Sequence, residues 1–291
     1  MHNVTKAYMF FIRIVSLLPF FLLYLIADLL AFIASDVIRY RSKIVYKNLK
    51  KAFPEKSEVE IKKIKRDFYR NFMDTIVETL KLASISSAEL DKRIKFEDAH
   101  LMTDLIGQGQ SVVLTTSHLG NWEWQLTGFT ANVSPHADGI YMRVRSDFFD
   151  QVMRKLRGKF GAYLIEKHDL MRELIKKKNI PRVIALVADQ RPKRAQLGYW
   201  TTLLNQDTQM FEGAEKIAYK FDYPVFYSHI KRVKRGHYVC KIIPLAAPPY
   251  DQKKHAIIDA FVTHLEANIQ ESPSDWLWSH KRWKHSRPAE A

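Results

Sequence analysis

Hydrophobic positions along the chain fall into three regimes. From Ile14 to Ala27 the sequence IVSLLPFFLLYLIA carries no charge; Arg13 and Asp28 bracket it, and apolar residues extend from Tyr8 to Ala34. A helical regime follows. Residues 36 to 53 read as a basic amphipathic helix stopped by Pro54, and Ser57-x-x-Glu60 is a capping box that opens a helix running to about Leu82. In it Ile61, Ile64, Phe68, Phe72, Ile76 and Leu80 recur at three- and four-residue steps, the spacing of a core-facing stripe. Beyond Ser86, short apolar runs alternate with helical stretches. The pattern predicts strands at 112–114, 139–144, 183–188, 224–229 and 237–243, with helices from about 121 and at 147–160, 211–221 and 253–270. The run VIALVA at 183–188 is continuous, as suits a strand buried on both faces. Strands alternating with helices predict an α/β fold, a single mixed-sheet domain over 36–291 flanked by helices, preceded by a hydrophobic N-terminal segment over 1–35.

The N-terminal segment reads as a retained membrane anchor. A spanning helix needs roughly 20 apolar residues, which this run reaches only by tolerating its flanking charges. A cleaved secretory signal would be followed by a small-residue cleavage site and polar mature sequence. Instead Arg39, Arg41, Lys43, Lys47, Lys50 and Lys51 follow with no acid among them, a cluster that keeps its side of the bilayer in the cytoplasm and attracts anionic lipid. Pro19 is placed to kink the helix, so spanning and lying within one leaflet both stay open.

Composition narrows the class further. The 291 residues support a full core, and 46 Lys+Arg against 31 Asp+Glu give a net charge of +15. Such charge draws in anionic lipid, nucleic acid or an acidic protein. One cysteine, Cys240, excludes an internal disulfide and a Cys-based metal site. The tail from Pro273 to Lys284 mixes Trp276, Trp278 and Trp283 with cations, which suits the bilayer interface. No nucleic-acid-binding signature accompanies it, and nucleic acid is not expected as a partner.

The segment Thr115 to Trp124, TTSHLGNWEW, holds the candidate chemistry, because it lies where a buried strand ends and a helix begins. His118 and Glu123 would diverge on one continuous helix, but can meet if His118 lies in the turn and Glu123 in the first helical turn. Gly120 supplies the turn and Asn121 the N-cap. A carboxylate on one imidazole nitrogen leaves the other free to take a proton from an attacking hydroxyl. Asp189-Gln190 follows VIALVA and places a second carboxylate on the same sheet edge. Arg143, Arg145, Arg154 and Arg157 lie where they can hold a phosphate or oxyanion. Gly107-x-Gly109 precedes a strand, so it is not a dinucleotide fingerprint, and no zinc-type histidine spacing occurs.

These blocks, with ADQRPK at 188–193, LLNQDTQMFEGAEKIA at 203–218 and WLWSHKRWK at 276–284, resemble the lipid A biosynthesis acyltransferases. These are the late lauroyl/myristoyl branch of the lysophospholipid acyltransferase superfamily, here in a Bacteroidetes-like version. The resemblance implies an α/β domain at the cytoplasmic face of the cell inner membrane. The implied reaction moves a fatty acyl group from an acyl carrier protein thioester to a hydroxyl of a lipid A precursor, with no metal or bound cofactor. It also implies His118 as catalytic base, Glu123 as its charge-relay partner, Arg157 on acceptor phosphate or oxyanion, and Asp189 in the site's polar network. One block departs from the family pattern: Tyr141 is followed by Met142-Arg143, and Ser146 stands where the family often has Asn. Arg143 is then a candidate replacement for a shifted guanidinium. Two rivals stay open: acylation of a lysophospholipid or amino-acid-headed lipid from acyl-CoA or acyl carrier protein, and a non-catalytic basic protein that binds membrane or nucleic acid.

Overall fold

Pro19 divides the apolar N-terminal run into two helices, α1 (His2–Leu17) and α2 (Phe20–Phe32), the second continued by one wide turn over Ile33–Val37. The structure, a computed structural model, describes residues 2–134, 136–144, 146–195, 197–250 and 254–287, with side chains from residue 9. Three more helices follow, α3 (Ser42–Ala52), α4 (Glu58–Lys81) and α5 (Ser87–Arg93). Strands and helices then alternate: β1 (Ile94–Glu97), α6 (His100–Gly107), β2 (Val112–Thr116), α7 (Trp122–Asn132), β3 (Ala137–Tyr141) and α8 (Asp147–Arg157). The alternation continues through β4 (Tyr163–Glu166), α9 (Leu170–Lys176) and β5 (Val183–Val187). A hairpin of β6 (Tyr199–Leu203) and β7 (Gln206–Met210) stands apart from the main sheet; α10 (Gly213–Phe221), β8 (Val225–Lys234), β9 (His237–Ala246) and α11 (Ala256–Glu271) follow.

The main sheet has the order β1-β9-β8-β2-β5-β3-β4. Its pairs are parallel except the hairpin β8/β9, so the expected mixed α/β sheet is what forms. β5 lies between β2 and β3, which is why VIALVA is apolar throughout. Ser57 and Glu60 make both halves of the capping box at the start of α4. The buried face of α4 turns through Tyr69, Met73 and Val77, leaving Ile76 37% exposed, so the expected stripe is displaced toward the helix's C-terminal end. The basic helix begins at Ser42 rather than 36, because Arg39 and Arg41 take left-handed backbone angles. The turn between them is pinned by Tyr69 Oη donating to the Tyr40 carbonyl and Arg41 Nη1 donating to that of Ser279.

One face of α2 enters the main core through Leu23, Ala27 and Ala31, packed with residues of α3 and α4. Phe20 meets Trp124 edge-on, and Tyr24 donates to Glu78 at 2.9 Å. The carbonyls at the end of α1 accept from Lys81 Nζ and Ser84 Oγ, which satisfies part of a helix C-terminus that Pro19 interrupts. Asp28, the acid inside the apolar run, accepts two hydrogen bonds from Arg235 at 2.8 and 3.0 Å. Arg235 in turn binds Asp74 of α4. The opposite faces of these helices leave Phe10, Phe11, Ile14, Phe21, Leu25 and Phe32 exposed.

Candidate active site

β2 and β5 run parallel with Thr116 opposite Val187. Two residues beyond each strand end, the chain sets His118 and Asp189 side by side. Asp189 Oδ1 lies 2.7 Å from His118 Nδ1, and Oδ2 accepts from the His118 backbone N–H at 3.1 Å and from the Trp276 indole at 2.8 Å. Burial alone would raise the Asp189 carboxyl, but the His118 ring and these donors outweigh it and hold the acid below its ordinary value. An ionised Asp189 keeps the proton on Nδ1, which leaves Nε2 as an acceptor. Gln190 Nε2 approaches that nitrogen at 3.3 Å.

The expected contact between Glu123 and His118 is not made. Glu123 does sit in the first turn of α7, behind Asn121 as N-cap, whose side chain accepts from the Trp124 N–H at 2.9 Å. Its carboxylate instead receives the forked guanidinium of Arg157, Nε at 2.7 Å and Nη2 at 2.6 Å, plus the Trp122 indole at 3.1 Å. A bidentate charged donor outcompetes a neutral imidazole for a carboxylate, and Asp189 already occupies the Nδ1 side of the ring. Burial would lower the Arg157 guanidinium, but Glu123 more than compensates and holds it above its ordinary value. Glu123 reaches His118 indirectly, because the Trp122 ring it holds packs edge-on against the imidazole at 5.3 Å.

His118, Glu123, Arg157 and Gln190 line the mouth of a cavity of about 420 Å³. Its deeper walls include Leu114, Phe129, Ala137 and Val183. Val112, Val183 and Ala137 share one register level near the opposite ends of their strands, so the cavity runs along the sheet for roughly 13 Å at about 3.3 Å per residue. Arg154 and Lys167 add positive charge at its walls. The arrangement is a basic, polar mouth with an imidazole acceptor opening onto an apolar slot.

A model of the bacterial lipid A biosynthesis acyltransferase family matches residues 2–285. The chain belongs to that family. It is similar to lipid A biosynthesis acyltransferase 2 of Shigella flexneri, with 23% identity over 210 residues that make up 72% of this chain and 60% of that protein. This chain therefore spans less than two thirds of the relative's length.

In this acyltransferase-family chain the remaining candidates divide. Asn121 serves the site from beneath, capping α7 and donating to the buried Glu78 at 2.7 Å. Burial raises Glu78, with Arg232, Tyr238 and Asn121 opposing. Arg143 is turned away: its side chain is 55% exposed and pairs with Asp147. Arg145 lies outside the described residues. The tryptophan-rich tail is not an exposed belt, because Trp276 and Trp278 are buried and Trp278 donates to the Pro273 carbonyl. The tail pairs with the loop after β2 through Leu119 and Trp276, and Leu277 N–H donates to the His118 carbonyl at 3.0 Å. Trp276 is the site residue that sequence reasoning missed. Its signal was present in the WLWSHKRWK block, which reads equally well as an interfacial motif until the tail is seen folded onto Asp189.

Proposed function

We propose that the protein is an O-acyltransferase that moves a fatty acyl chain from an acyl carrier protein thioester to a hydroxyl of a lipid A precursor. The observation that carries this reading is the His118–Asp189 pair at the mouth of the apolar cavity, within a chain of the lipid A acyltransferase family. The acceptor hydroxyl gives its proton to His118 Nε2, and its oxygen attacks the thioester carbon. The new C–O bond replaces the C–S bond, and the proton passes to the departing thiolate. Asp189 holds the ring's tautomer and stabilises the imidazolium that forms. Glu123 and Arg157 act as a positioning pair through Trp122. Arg154, which has no ion pair among the described residues, and Lys167 attract the phosphate of the acceptor or the acidic carrier.

The helix of Phe20–Val37 is apolar enough to cross a membrane by length and composition, and 22% of it is buried. Its exposed apolar face and that of α1 support attachment to a membrane, which in this reading is the inner membrane at its cytoplasmic face. The Asp28–Arg235 contact favours a helix pair lying in one leaflet over a lone spanning helix. The test is mass spectrometry of lipid A and phospholipids from cells expressing wild type or His118→Ala. A lipid A species heavier by one acyl chain, present with wild type alone, is expected. The purified variant should lose about 10²–10⁴-fold in rate. A shift in phospholipids or amino-acid lipids instead would reassign the acceptor, and full turnover by His118→Ala would remove the base.

A further inference from the structure

The apolar slot is interrupted by one polar level. Thr116, Gln125 and Ser228 all line it, and the sheet register explains why they meet: Thr115 is opposite Tyr227, so Thr116 and Ser228 are level, with Gln125 facing them from α7. The Thr116 hydroxyl donates to Gln125 Oε1, which fixes the amide and turns Nε2 away from it. Gln125 is 5% exposed and Ser228 1%, yet apart from the Cys240 thiol, Gln125 Nε2 and Ser228 Oγ have no hydrogen-bond partner among the described residues. The neighbour common to both is the thiol of Cys240, a weak partner that burial keeps protonated. Buried polar atoms with only a weak thiol for a partner are left largely unsatisfied, which is costly and uncommon. Two of them on the wall of a substrate cavity have a use once a substrate brings an oxygen to that level.

We infer that the cavity is built for an acyl chain carrying a hydroxyl near its carboxyl end, a 3-hydroxyacyl thioester rather than an unsubstituted one. This inference rests on the acyl-transfer reading above. Thr116 precedes His118 by two residues, roughly 7 Å of extended chain. The acceptor oxygen and thioester carbonyl occupy the first part of that distance, which brings the carbons next to the carbonyl to the polar level. There Gln125 Nε2 donates to the substrate hydroxyl, and the hydroxyl donates to Ser228 Oγ. The hydroxyl is a handle only: transfer makes the C–O bond, breaks the C–S bond and leaves the hydroxyl unchanged.

The full-length protein in detergent is tested first for binding of 3-hydroxymyristate and myristate as free acids, then for turnover with the two corresponding acyl carrier protein thioesters. Wild type is expected to favour the hydroxylated form on the order of tenfold to a hundredfold in both measurements. Ser228→Ala, a small change, and Gln125→Leu should each bring the ratio toward one. Equal use of the two forms by wild type overturns the inference, whether or not the variants fold. A preference that survives both substitutions overturns the assignment to these residues. A binding preference without transfer from either thioester leaves this subsite standing and removes the acyl-transfer reading.

Discussion

Asp189→Asn separates the two carboxylates that claim His118. Three donors converge on Asp189, one at Oδ1 and two at Oδ2. An asparagine there must direct its carbonyl oxygen to the pair formed by the His118 backbone N–H and the Trp276 indole. The reverse orientation strands two buried donors, at about 1–3 kcal/mol each, so it is disfavoured by roughly 2–6 kcal/mol. The amide N–H then faces Nδ1, which becomes an acceptor, and the proton moves to Nε2, where the base should be vacant. The expected loss is about 10²–10⁴-fold in kcat in a protein that still folds. Initial rates at saturating donor measure the loss, thermal unfolding checks the fold, and nitrogen-15 spectra of the imidazole read the tautomer. Glu123→Gln keeps the tautomer and should cost less. The reasoning is refuted if Asp189→Asn stays within about threefold of wild type while Glu123→Gln is inactive.

Removing Arg157 alone leaves the Glu123 carboxylate, 6% exposed, with the Trp122 indole as its remaining donor among the described residues; Arg157→Ala should lower unfolding free energy in urea by about 3–5 kcal/mol, and adding Glu123→Gln should restore part of it. His280 is pushed by burial from the ordinary 6.5 down to about 4, and its Nε2 lacks a partner among the described residues. The unfolded chain therefore binds the extra proton between those values, so stability rises with pH across this window by about 1–3 kcal/mol and levels above it. His280→Phe should flatten that slope in denaturant titrations from pH 4 to 7. Ala137, 2% exposed at the deep end of the cavity, offers a length test: Ala137→Leu should shift transfer to shorter chains by mass spectrometry, at a packing cost of about 1–3 kcal/mol.

Local signals survived the passage from sequence to structure, and long-range choices did not. The capping box, the Asn121 cap and the strand at 183–187 are decided by neighbouring residues, and each is found where the pattern puts it. The short strands β1 and β4 and the β6/β7 hairpin were not anticipated. β1 and β4 are four residues long at the sheet's edges, and in the hairpin's YWTTLLNQDTQM the apolar residues fall in adjacent pairs, Tyr199-Trp200 and Leu203-Leu204, rather than alternating. At the site, His118 and Asp189 were each singled out, yet their partnership depends on the β2/β5 register, which no local pattern encodes. Spacing along the chain favoured Glu123 over Asp189, 71 residues away, and the structure reverses that choice. Trp276 is more distant still, and its contact with Asp189 requires the tail to return across the whole domain.

The bond between Asp28 and Arg235 sets an order of events during synthesis. The two residues are 207 positions apart, so the apolar helix leaves the ribosome long before its partner exists. Until then Asp28 has only the looser contact with Arg70 of α4, at 3.6 Å, to offset its charge within the apolar segment. Only when the β8/β9 turn has formed does Asp28 gain the forked guanidinium of Arg235, so the final packing of this helix against the domain follows completion of the sheet. The dependence runs the other way too. A domain released from its first 35 residues would bare Trp124 and Glu78, which Phe20 and Tyr24 cover, and would meet its neighbours through that face.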